Sequence, residues 1–335
     1  NKQQSKKKKK KNVLLLLMVC SCIGMKYLIY PTVQQHSVFG SIATEAEAHN
    51  NPQYLYTHDE QKKTSDFALA HRESLGFFDD VTSAHWNLLK KKVSDMSPNY
   101  NTWYLPHDET RTEVAYKRNR KMGQFYQNNY EPDFVCQHER RIGKLGDGGK
   151  WICDPHRIAQ QESCLVYSIG SNNDFSFEEF VHKDIGAHCE IHTFDFGDYG
   201  AGAVKAGVHY HRVGLGGDNP PKFKSLSTVI QELGHEGRTI DIFKIDCEGC
   251  EWKTSNEWFT ANVTLRQIQV ELHNSDVIET PKFFDLLYNN NYVITHKEPN
   301  IAYPGAIEYA LLKLDSSFSE GIERAKGVPP AAKKD

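Results

Sequence analysis

Four charged residues within Lys244 to Trp252 (KIDCEGCEW) crowd the end of an otherwise apolar strand predicted at 240–245. Such clustering is costly unless the groups act on a ligand. We therefore predict that Asp246 and Glu248 orient a substrate, the amino group of a cofactor or a metal. The strand predicted at 267–272 (QIQVEL) ends next to His273. Because the pKa of an imidazole is near neutral, His273 is the best candidate for a general base, with a structural hydrogen bond as the alternative.

Three other positions that follow apolar runs suit the parts of a nucleoside. Gly170 precedes Asn172 and Asp174, and glycine permits a tight turn that a ligand can approach closely. Asp195 follows about 25 residues later, where a carboxylate can accept hydrogen bonds from ribose hydroxyls. Leu215 lies in the turn GLGGD, which could hold an adenine edge. Ordinary turns and caps explain the same residues, and the single glycine after the first run disfavours the pyrophosphate of NAD or FAD.

The elements that must position these residues follow from the apolar periodicity after Cys136. The predicted strands are 165–169, 190–196, 208–213, 240–245, 267–272, 292–296 and 308–314. Helices are predicted at 175–182, at 225–233 with Ser225 or Ser227 as N-cap, and at 280–288 with Thr280 as N-cap. This alternation predicts an α/β, Rossmann-like, mostly parallel sheet. Because no helical pattern separates the last two strands, we expect them to pair antiparallel.

Several segments of this region occur in a distinctive order: RIG (141–143), DGGKW (147–151), YSIGSNNDFSFEEF (167–180), KIDCEGCEW (244–252) and QVELH (269–273). KIDCEGCEW resembles the Lys-x-Asp-x-Glu-Gly-x-Glu signature of FkbM-type methyltransferases. The whole arrangement resembles more closely a related methyltransferase-like family of membrane-anchored proteins. The resemblance implies a class I fold with S-adenosyl-L-methionine at Gly170, Asn172 and Asp195. SIGSNND replaces the usual Asp-x-Gly-Ala-Asn, which leaves Asp174 or Asp246 to place the methionine amino group.

The N-terminal segment joins a basic run, Lys6 to Lys11, to an apolar run, Val13 to Met25. Its length falls between those of a signal peptide and a spanning helix. We predict a type II signal anchor that leaves the remainder in the lumen of the endoplasmic reticulum or Golgi. A cleaved signal peptide, giving a secreted protein, and a buried strand are the alternatives. The predicted segments are a basic cytoplasmic tail (1–12), an anchor (13–30), a partly helical stem (31–108), the methyltransferase domain (109–315) and a disordered tail (316–335).

Two helical patterns and one turn precede the predicted sheet. Within 67–96, apolar positions and one histidine recur at helical spacing, namely Phe78, Val81, His85, Leu88 and Leu89. A second helix is predicted at 109–126. The two either cap the domain or form a stalk. The segment Asp147 to Lys150 is predicted as a hairpin turn or as a lid over the cofactor.

The cysteines indicate an oxidising compartment. Of eight, Cys20 and Cys22 lie in the apolar segment, and the remaining even number suggests disulfides. The first predicted pair is Cys136 with Cys153. The CxxC at 247–250 supplies half a tetrahedral zinc site or a disulfide near the predicted site, and redox chemistry is the weaker interpretation. Asn262 begins the sequon NVT, which is consistent with lumenal exposure.

These observations leave three functional hypotheses. The leading one is an S-adenosylmethionine-dependent methyltransferase, without a metal, that modifies a hydroxyl of a glycan or secreted protein. The net charge of −3 gives no indication of a nucleic-acid partner. A lumenal glycosyltransferase is the alternative, although Asp195 and Asp198 are too far apart in sequence for its D-x-D motif. A non-catalytic binding module on the same fold is the third.

Overall fold

The structure is a computed structural model that describes residues 58–96, 126, 129–219, 221–274, 279–301, 303 and 305–322. All of them belong to one compact unit, Leu55–Asp335. The predicted anchor (13–30) and nearly all of the predicted helix 109–126 lie outside the described residues. Within the described ranges, no helix is both long enough and apolar enough to cross a bilayer.

Two helices come first, α1 (His58–Glu73) and α2 (Ser83–Met96). The prediction of one helical pattern across 67–96 was wrong. Leu75 and Gly76 have φ angles of 55° and 81°, in the left-handed region that a continuing helix does not use. Consequently Phe78 and Val81 are buried in the connecting turn rather than on a helix face.

The buried face of α2 is formed by Trp86, Leu89 and Val93, which recur at helical spacing. His85 and Leu88, predicted on the buried face, are exposed instead. The indole of Trp86 is fully buried, and its ring centroid lies 5.5 Å from that of Phe318. Phe318 belongs to a 3₁₀ turn, Ser316–Ser319. The helices therefore pack on the domain, and the packed chain continues past the boundary predicted at 315.

The strands and the remaining helices alternate along the rest of the chain. The strands are β1 (Arg140–Ile142), β2 (Lys150–Ile152), β3 (Cys164–Ile169), β4 (Cys189–Phe194), β5 (His209–His211), β6 (Gly214–Leu215), β7 (Phe223–Lys224), β8 (Thr239–Ile240), β9 (Ile242–Ile245), β10 (Thr264–Leu265), β11 (Gln267–His273), β12 (Tyr292–Pro299) and β13 (Ala306–Lys313). The helices are α3 (Pro155–Ala159), α4 (Ser176–Asp184), α5 (Gly200–Ala206), α6 (Leu226–Leu233), α7 (Cys250–Trp258) and α8 (Glu279–Asn289).

The central sheet has the order β12-β13-β11-β9-β3-β4-β5. All of its pairings are parallel except those of β13, which runs antiparallel to both β11 and β12. The predicted Rossmann-like class and the antiparallel end of the sheet are thus confirmed. The order runs outward in opposite directions from β3 and β9, and ligands of such sheets bind at this reversal, beyond the carboxyl ends of the strands.

Burial explains why the central strands were easy to predict. Every residue of β3, β9 and β11 is buried, as expected for parallel strands covered on both faces. The strand predicted at 240–245 is, however, interrupted at Asp241, whose carboxylate accepts a hydrogen bond from the backbone N–H of Leu165 at 3.0 Å. The strand predicted at 208–213 is also shorter, since β5 spans only His209–His211.

The helix caps were predicted with mixed success. Ser225 is the N-cap of α6, as expected, and its hydroxyl accepts a hydrogen bond from the N–H of Thr228 at 3.1 Å. Thr280 is not an N-cap, because α8 already begins at Glu279. Its hydroxyl is buried 3.1 Å from that of Tyr126, so a tertiary contact accounts for this residue.

Candidate active site at the strand-order reversal

A cavity of about 1010 Å³ opens at the carboxyl ends of β3, β4, β9 and β11. It is lined by every residue that the sequence singled out for catalysis or cofactor binding, namely Gly170, Asn172, Asp174, Asp195, Leu215, Asp246, Glu248 and His273. Strands that are distant in sequence end at this edge, so the fold brings the predicted set together. Residues that were not predicted also contribute, among them Lys144, Lys244 and Asn300.

The turn after β3 brings two backbones unusually close. Gly170 has a φ of 80°, and a Cβ atom built there would lie 1.7 Å from the carbonyl oxygen of Asp246. Only glycine fits at this position. The Lys244 ammonium, which is buried, donates to the Gly170 carbonyl at 2.9 Å and ties the turn to β9.

Asp195 shapes this turn from the end of β4. Its Oδ2 accepts hydrogen bonds from the N–H groups of Ser171 and Asn172 at 3.0 and 2.9 Å, and its Oδ1 accepts from Gly197 at 2.9 Å. The carboxylate is therefore a loop cap. A carboxylate has about four lone-pair sites, so it retains capacity for a further donor from the cavity.

One wall of the cavity is apolar. Leu215 is buried in β6, and the rings of Phe196 and Phe223 lie 6.2 Å apart beside it. Gly214 permits this packing, because a Cβ atom there would lie 2.9 Å from the ring of Phe223. A flat aromatic group would suit such a wall, since ligand pockets combine apolar surfaces with a few fixed polar groups.

The opposite side of the site contains a buried lysine that sequence analysis missed as a functional residue. The Lys150 ammonium, at the start of β2, lies 3.2 Å from Asp246, 3.2 Å from Glu271 and 2.8 Å from Glu308. Lys150 is 1% exposed, so its charge is compensated by these carboxylates rather than by water. The DGGK segment was the available signal, but only as a hairpin or lid.

The hairpin interpretation of that segment is confirmed. β1 and β2 pair antiparallel, with Arg141 opposite Trp151. The turn between them also reaches the cavity rim through Lys144, Asp147 and Gly148. The hairpin therefore carries Lys150 into the interior while its tip borders the cavity.

The pKa values of the three carboxyl groups around Lys150 are shifted in opposite directions. Burial opposes ionisation of Asp246, but the Lys150 and Lys244 ammonium groups outweigh it and hold its pKa well below the usual range. Burial raises the pKa of Glu308 to about 7 despite Lys150, and burial likewise raises the pKa of Glu271. Of the three carboxyl groups around Lys150, Asp246 is therefore the one most strongly held in its ionised form.

His273, at the end of β11, is held by an acid. Glu251 Oε1 lies 3.2 Å from Nδ1 of His273 and also accepts its backbone N–H at 2.8 Å. The other ring nitrogen, Nε2, lies 3.7 Å from both Asp246 and Glu248. Burial disfavours the imidazolium, but Glu251, with Glu271 and Asp246, outweighs it and raises the pKa of His273 to about 9.

The loop that carries Glu248 lies at the cavity mouth. Its side chain is 82% exposed, and its φ of 56° is in the left-handed region. Cys247 and Cys250 form a disulfide across this loop. Glu251 also accepts the N–H of Gly249 at 2.9 Å, so the loop and His273 share one anchor. The predicted pair Cys136–Cys153 is confirmed, and Cys164–Cys189 is a third disulfide.

Asp174 is engaged by a neighbour at the rim. Its Oδ2 forms an ion pair with Lys144, and its Oδ1 accepts the N–H of Ser176 at 3.0 Å. Partial burial opposes the charge, but the hydrogen bond from Lys144 more than compensates and lowers the pKa of Asp174. Both acids suggested for the amino group of a cofactor are thus already paired with a lysine, Asp174 with Lys144 and Asp246 with Lys150.

The fold and the cavity define a Rossmann-like α/β domain with a ligand site at the strand-order reversal. In agreement, the sequence pattern of a family described as a methyltransferase domain matches residues 68–313. The chain therefore belongs to this methyltransferase domain family. No curated protein matches it in sequence. The finer resemblance to FkbM-type enzymes stays a prediction.

Solved structures that this chain resembles include a pre-rRNA processing protein and two RNA methyltransferases. The fibrillarin pre-rRNA processing protein of Methanococcus jannaschii shares 10% identity over 53% of this chain and 83% of its own, with a TM-score of 0.34. An rRNA methylase from Streptococcus thermophilus shares 9% identity over 47% of this chain and 92% of its own, with a TM-score of 0.31. A tRNA methyltransferase from B. subtilis shares 12% identity over 54% of this chain and 71% of its own, with a TM-score of 0.32. Similarity this low says nothing about the substrate of this chain.

Proposed function

We propose that the protein is an S-adenosylmethionine-dependent methyltransferase that modifies a hydroxyl group of a glycan or secreted molecule. The observation that carries the proposal is the glycine turn of β3 pressed against Asp246, within a cavity that also contains Asp195 and an apolar wall. Membership of a family described as a methyltransferase domain supports the same activity.

The donor set fits the cofactor part by part. Asn172 and the remaining capacity of Asp195 suit ribose hydroxyls, and Leu215 suits the adenine ring. Asp246, which stays ionised, suits an ammonium group of the amino-acid moiety. When bound, the cofactor would supply an electrophilic methyl group on sulfonium sulfur. The cavity lies at the upper end of the usual range of roughly 300–1000 Å³, which leaves room for part of an acceptor.

One side chain of the site is well positioned to take the proton of the acceptor hydroxyl. Glu251 fixes Nδ1 of His273, so Nε2 is directed toward Asp246, Glu248 and the cavity. This pairing of a base with an orienting acid is typical of general-base sites. The low pKa of Asp246 makes it a weak base, so we assign proton removal to His273 and ligand orientation to Asp246 and Glu248.

The activity should therefore depend strongly on pH. Only neutral His273 can accept a proton, and its pKa of about 9 leaves it mainly protonated at pH 7. We expect kcat/KM to rise between pH 7 and 9 and then level off. His273→Gln should lose this rise together with most of the activity. A wild-type profile that is flat over this interval would contradict the assignment.

The lumenal location is supported by the chain rather than by the cavity. The basic run followed by an apolar run is typical of a signal anchor, and three disulfides fit an oxidising compartment. Asn262, in the sequon, is exposed, as glycosylation requires. On this proposal, the enzyme meets glycans and secreted proteins but no nucleic acid.

Methyl transfer can be tested without knowing the acceptor in advance. The protein would be incubated with methyl-labelled S-adenosylmethionine and a pool of secreted glycoproteins, followed by release of the glycans. We expect alkali-stable label, as an ether requires, that is lost with Asp246→Asn. Alkali-labile label would indicate a carboxyl acceptor and contradict the hydroxyl proposal, and equal labelling by the variant would contradict the site.

A further inference from the structure

A group of histidines with one glutamate lies away from the cavity. Glu190 is the second residue of β4, and Asp195 follows the far end of this strand, about 16 Å away at roughly 3.3 Å per residue. His192 is on the same strand, and His235 follows α6. Both imidazoles are about 5% exposed, whereas the Glu190 side chain is 36% exposed.

The ligating atoms of these residues converge. Oε1 of Glu190 lies 2.9 Å from Nε2 of His192 and 3.4 Å from Nε2 of His235. All three atoms lie within 4.8 Å of one another. A tetrahedral cation with bonds of about 2.0–2.1 Å requires donors roughly 3.3 Å apart. The spacing already present is close to that requirement.

The outer hydrogen bonds fix the orientation of each donor. Nδ1 of His192 lies 2.9 Å from Nε2 of His211, and Nδ1 of His235 lies 2.7 Å from the hydroxyl of Tyr167. Metal-binding imidazoles usually have such a partner on the nitrogen that does not bind the metal. Arg238 donates to Oε2 of Glu190 at 2.9 Å, which leaves Oε1 to face the imidazoles.

We propose that Glu190, His192 and His235 bind a zinc ion. Two imidazoles and one carboxylate are a ligand set that zinc accepts, and the half-exposed Glu190 gives a fourth position access to solvent. The ion would join β4 to the segment after α6, two parts of the chain that no disulfide connects among the described residues. The site is separate from the cavity and does not depend on the proposed function.

Zinc binding by the whole protein tests this directly. The purified chain would be loaded with one equivalent of Zn²⁺, dialysed against metal-free buffer and analysed for zinc, with affinity measured against a chromophoric chelator. We expect about one retained zinc per chain. Replacement of Zn²⁺ by Co²⁺ should give visible absorption bands of tetrahedral intensity, a readout that needs no variant.

Three variants separate ligation from general folding. Glu190→Ala and His235→Gln should lose the retained zinc, while Tyr167→Phe, which preserves the ring packing, should weaken binding by roughly 10- to 100-fold. His156→Gln is the matched control, because His156 contacts His138 in a different histidine pair. A wild-type chain that retains no zinc and shows no Co²⁺ bands overturns the proposal. Unchanged binding by His235→Gln, or loss of zinc in His156→Gln, also overturns it.

Discussion

Replacement of Lys150 by methionine should lower the free energy of unfolding by roughly 3–5 kcal/mol at pH 7.5. The ammonium, itself 1% exposed, compensates the charges of Asp246, Glu271 and Glu308. Methionine preserves most of the apolar stem, so the loss reports mainly the uncompensated carboxylates. Denaturant unfolding monitored by circular dichroism measures the difference.

The pH dependence distinguishes this mechanism from lost packing. The pKa values of Glu308 and Glu271 are raised by burial, that of Glu308 to about 7, so both become protonated as the pH falls. The destabilisation should therefore shrink between pH 7.5 and 5.5. Lys205→Met, at an exposed site on α5, should change stability by less than about 0.5 kcal/mol. An equal loss at both pH values would contradict the electrostatic explanation.

Gly170→Ala should reduce methyl transfer on the order of 100-fold, because a shift of about 1 Å in a positioning element costs that much. The added Cβ atom would meet the Asp246 carbonyl at 1.7 Å, so β3 and β9 must separate where the cofactor is proposed to bind. Stability should also fall by more than about 1 kcal/mol, since φ is positive. Activity with labelled cofactor and cofactor affinity are the measurements.

The matched control is Gly234→Ala. Gly234 has a φ of 67°, but a Cβ atom there would meet nothing within 4 Å. It ends α6, away from the cavity. The control should therefore show the conformational penalty without the loss of cofactor binding. If both variants lost activity equally, the close approach to Asp246 would not be the cause.

The strand ends of the site were predictable because the burial of each central strand can be read from its own short stretch of sequence. Fully buried parallel strands produce long apolar runs, and a polar residue directly after such a run must lie at the sheet edge. Gly170 and Asp246 directly follow the mostly apolar strands β3 and β9, whereas Asp195 and His273 lie at the ends of strands that contain several polar residues. Parallel strands that end at one edge then bring these residues together without further information.

The charge network was not predictable for the converse reason. Lys150 and Glu308 lie 158 residues apart in the sequence, although their side chains are in contact. Neither residue follows a parallel strand at the strand-order reversal. Their partnership depends on the hairpin folding over the sheet and on β13 running antiparallel beside β11. The same limit applies to Asp195, whose residue type suggested a ribose contact, whereas its three hydrogen bonds to backbone N–H groups appear only in three dimensions.

Calorimetric titration of S-adenosylhomocysteine into the protein tests cofactor binding most directly. We predict one site per chain with micromolar affinity, lost in Asp195→Ala and retained in Asp198→Ala, whose exposed carboxylate lies outside the loop cap. A nucleotide sugar with Mn²⁺ should give no heat of binding. Absence of S-adenosylhomocysteine binding to the folded wild-type protein would contradict the methyltransferase proposal, and binding of the nucleotide sugar instead would indicate a glycosyltransferase.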